Sequence, residues 1–256
     1  MPDAWGPPPP ELVLPDDEVH VWRASLAPPP GELERLLALL DDEERARAGR
    51  FRFPVHRDRF VAGRGIQREL LARYLGVRPA ALRYRHAPHG KPELDGPEAA
   101  SGLRFNVSNA EDRLLVAVAR GREVGVDLEP LRPMPDGEAI ALRFFSVPEN
   151  EVFGAIPPAG RDLAFFTCWT RKEAFIKAVG EGLSMPLDCF DVTLTPGEPA
   201  RLLRTRGNPA EVERWTLREL DPGPGWVAAL AAEGRGWSVR LFDRDAAFPG
   251  PPAHTG

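Results

Sequence analysis

The chain has 256 residues, of which 43% are hydrophobic and 28% charged, and its formal net charge is -5. This composition predicts a globular protein with one large domain or two small ones. The acidic balance argues against a nucleic-acid partner, and no apolar run approaches the roughly 20 residues that span a bilayer, which argues against a membrane partner. The sequence has two cysteines, Cys168 and Cys189, and does not begin with a charged segment followed by an apolar one, so we expect a cytoplasmic protein.

Charge is distributed unevenly along the chain. Between Glu43 and Arg73 there are nine arginines against four acidic residues. An arginine-dense segment in an acidic protein is typical of a site for a phosphorylated ligand or an acidic partner. The alternative is an ordinary solvated helix.

The first half of the chain is predicted to mix strands and helices. Residues 18–26 alternate as a strand does, and leucines at helical spacing predict a helix over residues 31–51. A second helix is expected from Asp58 to Tyr74, with Gly76 as its stop. Further strands are predicted at residues 82–94, where the chain enters a Gly-Lys-Pro turn, and at 103–109, 113–121 and 123–130.

The second half is predicted to contain helices first and strands last. Helical pieces are expected at residues 139–146 and 149–156, followed by a long helix from Arg161 to Val179 that Gly180 and Gly182 end. Strands are predicted at residues 189–194, 212–220, 225–232 and 237–243. Because strands and helices do not alternate regularly, we predict an α+β fold with largely antiparallel strands.

The predicted organisation has four parts. A loose N-terminal arm of residues 1–17, dominated by Pro and Asp, precedes an N-terminal α+β half of residues 18–121. A C-terminal α+β half of residues 122–245 and a flexible tail of residues 246–256 follow. The halves mix strands and helices in similar amounts, but no sequence repeat relates them.

Two carboxylates share one face of the predicted strand at residues 123–130. Residues two apart on a strand point to the same side, so Asp127 and Glu129 project together while Leu128 faces away. Carboxylates this close repel each other unless a cation or a shared proton lies between them. Oxygen ligands of this kind suit Mg²⁺, which usually also binds substrate phosphates. The alternative is a half-exposed strand with two solvated acids.

A second constellation lies on the predicted helix from Arg161 to Val179. Trp169, Glu173 and Lys177 are spaced at i, i+4 and i+8, so they form one stripe. Taken alone, the stripe is equally explained by an ordinary Glu-Lys pair beside a core Trp.

Together these two segments resemble a known family. "GVDLEP" at residues 125–130 and "WTRKEAFIKAVGEGL" at 169–183 are similar to the G-[IV]-D-x-E strand and the later W-[TS]-x-K-E-A-x-x-K helix of the 4'-phosphopantetheinyl transferases. Three further matches lie in the family's order, and the resemblance runs from about Val19 to Phe242. These matches are "GKPEL" at 90–94, "FNVSN" at 105–109 and "RFFSVPE" at 143–149.

The resemblance implies a fold and an activity. Length and motif order resemble the larger, single-chain type that acts on carrier proteins of polyketide and nonribosomal peptide synthases in secondary metabolism. Such a protein has two similar α+β halves related by an approximate two-fold, with coenzyme A in the cleft between them, and is expected to be a monomer. It transfers the phosphopantetheine arm of coenzyme A to a serine of an apo acyl or peptidyl carrier protein and releases adenosine 3',5'-bisphosphate. The expected partner is acidic around its serine, and basic or apolar surface near the cleft would receive it.

The implied catalytic set combines three carboxylates and a lysine. By resemblance, Asp127, Glu129 and Glu173 would hold Mg²⁺ against the coenzyme A pyrophosphate, which Lys177 would also contact. Glu173 is the candidate general base for the serine proton, with Glu149 as its rival. The reaction is an in-line displacement at phosphorus, so positioning and charge neutralisation supply most of the acceleration.

The implied coenzyme A contacts come from the first half. Lys91 would bind another phosphate group, and Ser108 and the backbone around it would cradle phosphate. The candidates for the 3'-phosphate or adenine side are Arg50, Arg57 and Arg64, in a stretch at residues 50–70 that resembles the family only loosely. Trp169 is expected to be packing that fixes its helix.

One residue departs from the family pattern. Asn109 stands where the family commonly has His after the serine of the F-N-[LV]-S motif. Asn can donate a hydrogen bond to a phosphate oxygen but carries no charge, so we expect weaker coenzyme A binding with retained activity. His86 or His89 in the nearby turn is an alternative source of the cation, and either is equally explained as an exposed turn histidine.

Without the resemblance, the residues support less. They are consistent with a Mg²⁺-dependent phosphohydrolase or nucleotidyl transferase. A carrier-protein-binding module that has lost turnover is a further alternative, with Asn109 as its first symptom. The intact set of three carboxylates and Lys177 argues against that module, because a decayed site should lose its costly clustered charges.

Overall fold

The computed structural model describes residues 4–246 and has an α+β fold. Its strands are β1 (Glu18–Ser25), β2 (Arg83–His86), β3 (Pro92–Asp95), β4 (Leu103–Ala110), β5 (Arg113–Arg120), β6 (Val124–Pro130), β7 (Phe190–Val192), β8 (Leu202–Thr205), β9 (Trp215–Leu220), β10 (Trp226–Glu233) and β11 (Ser238–Asp243). Its helices are α1 (Pro30–Ala38), α2 (Asp42–Ala48), α3 (Pro54–Leu75), α4 (Gly137–Phe144), α5 (Val147–Ala155), α6 (Pro158–Val179) and α7 (Glu211–Arg214). No helix within residues 4–246 is long and apolar enough to cross a membrane.

The strands form two main sheets. The first has the order β11-β1-β5-β4 and the second the order β6-β10-β9, while β2 pairs with β3 and β7 with β8. All pairings are antiparallel except that of β1 with β11, which is parallel. The prediction of an α+β fold with mostly antiparallel strands is therefore confirmed.

Strand alternation divides the core into layers. On β5, Leu114, Val116 and Val118 pack with apolar residues of α3, whereas the residues between them join a cluster shared by the two sheets. That shared cluster also contains the inward face of β6, namely Val124, Val126 and Leu128. The opposite face of the second sheet packs against α6. The order of layers is therefore α3, first sheet, second sheet and α6.

The two long helices end where the sequence predicts. Helices α3 and α6 have 22 residues each and stop at Gly76 and Gly180, whose positive φ angles of 66° and 85° favour glycine. Each helix covers the outer face of one sheet.

The helix predicted over residues 31–51 is in fact two helices, α1 and α2. The break falls before Asp41, whose side chain accepts a hydrogen bond from the Glu44 backbone N–H while the Glu44 carboxylate accepts one from the Asp41 N–H. This reciprocal capping starts a new helix, which the leucine spacing alone did not indicate. The second predicted helix begins earlier than expected, at Pro54, a residue suited to a first helical turn.

The last third differs from the prediction in small elements. Residues 211–214 form the short helix α7 where a continuous strand was predicted over 212–220, so the strand begins only at Trp215. Strand β8 was not predicted.

The division into an arm, two halves and a tail remains a prediction, and the structure adds contacts that cross it. Strand β11 of the predicted second half lies beside β1 in the first sheet. In the arm, Gly6 forms a bridge with Phe242 and Leu14 is buried in the core. The predicted tail falls outside the described residues except for Ala246.

Candidate active site

Gly125 lets strand β6 approach helix α6 backbone to backbone. A methyl group at this position would lie 2.2 Å from the Ala174 carbonyl oxygen and 2.3 Å from the Ala178 nitrogen. Real side-chain carbons do not approach other atoms so closely, so the contact requires glycine. This contact sets the distance between the acidic face of β6 and the neighbouring side chains of α6.

Asp127 is the buried centre of a hydrogen-bond network that joins β4, β6 and α6. The Lys177 ammonium donates to Asp127 Oδ1 at 2.6 Å and to Ser108 Oγ at 3.2 Å, and Ser108 Oγ donates to Asp127 Oδ1 at 3.0 Å. The other carboxylate oxygen of Asp127, Oδ2, is buried and has no hydrogen-bond partner within residues 4–246. One oxygen of this carboxylate is thus satisfied and the other is left for a ligand.

Glu129 and Glu173 stand close enough to Asp127 to interact electrostatically. Burial raises the pKa of Glu173, and the negative charges of Asp127 and Glu129 raise it further, against the effect of Lys177. Burial and the charge of Asp127 likewise raise the pKa of Glu129, while Arg132 acts in the opposite direction. Each carboxylate therefore makes ionisation of its neighbours costlier, which a cation among them would relieve.

The side chains as placed do not form a ready-made metal site. Across residues 4–246, no group of three or more His, Cys, Asp and Glu side chains is arranged to hold a metal ion. The Lys177 ammonium pairs with the Asp127 carboxylate at 2.6 Å. The donor chemistry nevertheless suits a hard divalent cation, because all three side chains offer carboxylate oxygens and Asp127 Oδ2 is unsatisfied.

Lys91 has a different environment from the phosphate contact that the resemblance implies. Its largely buried ammonium pairs with Glu123 at 2.7 Å and donates to the backbone carbonyls of Val124 and Ala178. These three acceptors match the three N–H donors of an ammonium group. Lys91 therefore ties the β2–β3 hairpin to the start of β6 and the end of α6.

A basic cavity of about 470 Å³ lies on the other side of strand β4. Asn109 lines it, whereas the preceding residue, Ser108, points to Asp127. Successive side chains on a strand face opposite ways, so the end of β4 separates the cavity from the carboxylates by one strand thickness. The other polar lining residues are Arg47, His56, Arg59, Arg64, Gln67 and Glu111.

The cavity brings together only part of the predicted arginine set, whose role in binding remains a prediction. Of the three predicted arginines, Arg64 lines the cavity, while Arg50 and Arg57 do not. Arg57 pairs with Asp58 at 2.8 Å instead. Helical geometry explains this result, because Arg59 and Gly63, not Arg57, share the face of α3 with the cavity.

Glu149, the rival candidate for the base, lies in a buried ion pair. Its carboxylate pairs with the Lys172 ammonium at 2.8 Å and accepts hydrogen bonds from the backbone N–H groups of Ser146 and Val192. Both side chains are buried, and Lys172 also donates to the carbonyls of Leu187 and Phe190. The pair joins α5, α6 and the segment before β7, which is a structural role.

Comparison with known proteins bears on these features. Residues 123–231 match the model of the 4'-phosphopantetheinyl transferase superfamily, and residues 23–121 match that of the 4'-phosphopantetheinyl transferase N-terminal region. The chain is 44% identical over 238 residues to the 4'-phosphopantetheinyl transferase HetI of a Nostoc species, covering 93% of this chain and 97% of that protein. The chain belongs to the 4'-phosphopantetheinyl transferases. It is also 30% identical to the transferase Sfp of Bacillus subtilis, over 75% of this chain and 82% of that protein.

Among solved structures, the holo-[acyl-carrier-protein] synthase of Thermotoga maritima shares 20% identity with this transferase. That match has a TM-score of 0.35 and covers 44% of this chain and 63% of the other.

Sequence reasoning missed two residues that shape this transferase's site. Gly125 belongs to the strand motif, but only its packing on α6 explains it. Asn106, buried on β4, accepts a hydrogen bond from the Val126 N–H through its side chain and so joins β4 of the first sheet to β6 of the second. The sequence signal for this contact was a polar amide side chain, Asn106, within an otherwise apolar strand.

Proposed function

We propose that this transferase moves the 4'-phosphopantetheine arm of coenzyme A to a serine hydroxyl of an apo acyl or peptidyl carrier protein, in a Mg²⁺-dependent reaction that releases adenosine 3',5'-bisphosphate. The single observation that carries the proposal is the opposite orientation of Ser108 and Asn109. A ligand that passes round the end of β4 can contact the basic cavity through Asn109 and the carboxylate network through Ser108.

In this proposal, the basic cavity takes the nucleotide end of coenzyme A. Arg47, Arg59 and Arg64 supply positive charge for phosphate, and Phe51 and Phe60 supply apolar surface for a base. Gln67 lines the same cavity, and its side-chain oxygen accepts a hydrogen bond from the Arg64 guanidinium at 2.9 Å, which orients that charge.

The carboxylate network takes the reacting phosphate. Asp127, Glu129 and Glu173 would hold Mg²⁺, which when bound would neutralise the pyrophosphate oxygens and the charge of the leaving group. Lys177 and Ser108 donate hydrogen bonds from the same place and hold Asp127 in position. Glu173 forms no hydrogen bond or ion pair within residues 4–246, so its carboxylate is available to accept the serine proton.

Mass spectrometry of the acceptor tests this proposal. The transferase is incubated with coenzyme A, Mg²⁺ and an apo carrier protein, and the carrier is expected to gain the mass of one phosphopantetheine. A chelator should abolish the gain, and restored Mg²⁺ should return it. Release of phosphate or nucleotide with an unmodified carrier would instead identify a hydrolase, and carrier binding without product would identify a binding module.

Variants of the acidic residues extend the test. Asp127→Ala, Glu129→Ala and Glu173→Ala should each abolish transfer while circular dichroism remains that of the parent. Transfer at the parent rate in any of them would remove that residue from the proposed metal set.

A further inference from the structure

Three large apolar side chains are exposed close together in the sequence, from the α2–α3 connection into the first turn of α3. Phe51, Phe53 and Val55 are 36%, 54% and 51% exposed. With Arg50, Arg52 and Pro54 they form a continuous surface segment, the 50–55 patch. Single exposed apolar residues are normal, whereas a cluster of three within five positions indicates an interaction surface.

Positive charge surrounds this patch. Residues 45–59 contain six arginines and one acidic residue, although the whole chain has a net charge of -5. In the part of the chain that the structure describes, the side chains of Arg50 and Arg52 form no ion pair. Arg52 instead lies over the Phe53 ring at 5.4 Å. The local charge is therefore available to an acidic partner.

The patch is continuous with the basic cavity. Phe51 belongs to the patch and also lines the cavity, together with Arg47 and His56 on either side of it in sequence. In the proposed function, coenzyme A runs from this cavity round the end of β4 to the carboxylates, one strand thickness away. A protein substrate that presents its serine at the carboxylates covers a surface wide enough to include the rim of the cavity. The 50–55 patch is part of this rim.

We propose that the 50–55 patch docks the apo carrier protein, through an apolar contact on Phe53 and Val55 and acidic groups opposite Arg52. This inference rests on the proposed function and names the surface that its protein substrate uses. The charge of the patch favours an acidic protein, and the exposed rings favour one with an apolar side chain at the centre of the contact.

A second exposed apolar surface provides a matched control. Leu142 on α4 and Val147 on α5 are 70% and 72% exposed. They border a separate cavity of about 730 Å³ that shares no lining residue with the basic cavity. Arg206 on its rim is paired with Asp191, and Arg143 lies over the Phe144 ring at 5.1 Å. Asp188 and Glu151 also line that cavity, so this surface lacks the excess of positive charge that surrounds the patch.

The experiment measures steady-state transfer with the carrier and coenzyme A varied separately. Phe53→Gln/Val55→Gln should raise the KM for the carrier by about ten-fold or more and leave kcat and the KM for coenzyme A unchanged, because hot-spot residues dominate such contacts. Arg52→Glu should also raise the carrier KM, by a factor that shrinks as salt is added. Leu142→Gln/Val147→Gln should leave the carrier KM unchanged.

Each other outcome overturns the inference. An unchanged carrier KM in the patch variants, or a raised one in the Leu142/Val147 control, would place docking elsewhere. A raised KM for coenzyme A would assign the patch to the nucleotide site instead. If the parent protein modifies no carrier, the proposed function is wrong. Equal binding of a fluorescent carrier by the parent and the patch variant would then show that the docking inference is wrong as well.

Discussion

Gly125→Ala tests whether the contact between β6 and α6 sets the catalytic geometry. The new methyl would lie 2.2 Å from the Ala174 carbonyl oxygen, and ordinary contacts begin at 3.4 Å. The difference requires the α6 backbone to retreat by about 1.2 Å. Both atoms in closest contact belong to the backbone of α6, so no side-chain rotation can relieve the clash.

The displacement should affect both activity and stability. Glu173 and Lys177 lie on α6 beside the contact, and a misplacement of about 1 Å in a catalytic constellation costs about 100-fold in rate. Overpacking of this kind also lowers the free energy of unfolding by about 1–3 kcal/mol. We therefore expect a folded, destabilised variant with kcat/KM reduced by about 100-fold in the carrier-modification assay.

Two other glycines serve as controls. Gly154→Ala, on the exposed part of α5, meets no atom within 4 Å and should leave activity unchanged. Gly65→Ala clashes with Leu36 Cβ at 2.7 Å in the first half, away from the carboxylates, so it should lower stability with a much smaller loss of kcat. A Gly125→Ala variant that is folded and transfers at the parent rate would refute the reasoning, as would an equal loss of kcat in Gly65→Ala.

Three further outcomes follow from individual residues. Asn109→His, at the rim of the basic cavity, should lower the KM for coenzyme A by adding a cation, and an unchanged or raised KM would contradict this reading. Lys172→Met should reduce the free energy of unfolding in urea by about 3–5 kcal/mol because Glu149 is left buried and charged; adding Glu149→Gln should recover part of the loss, and no recovery would argue against a charge effect. Burial lowers the pKa of His20 below 6.5, so the unfolded chain binds a proton at His20 more readily than the folded chain does. The free energy of unfolding should therefore fall as the pH drops below about 6.5. His20→Gln should flatten that part of the stability profile, and a slope equal to the parent's would exclude His20 as its source.

The sequence predicts the local architecture of the site well. Period-two alternation places Val124, Val126 and Leu128 inward and the two acids of β6 on the other face, and the structure has this arrangement. Local patterns of this kind are readable because side-chain direction on a strand depends only on backbone geometry. The capping residues at Asp41 were readable as well, but the longer leucine pattern concealed them.

The partners of the charged side chains depend on tertiary structure. From sequence alone, Lys91 and Glu149 are as plausible in catalysis as Lys177 and Glu173. The fold buries Lys91 and Glu149 in ion pairs, whereas the carboxylate of Glu173 has no ion pair among the described residues. Burial and pairing depend on segments distant in the chain, such as residues 187–192 for the Lys172–Glu149 pair. No local pattern encodes these contacts.

The sequence by itself thus determines the family, through a specific order of short motifs, and the face of each strand on which a residue lies, through backbone periodicity. The packing of Gly125 on α6, the choice of Arg59 over Arg57 for the basic cavity, and the exposure of the 50–55 patch follow only from the assembled fold. The physical reason is that a side chain's function depends on what surrounds it, and the surroundings come from elements far apart in sequence.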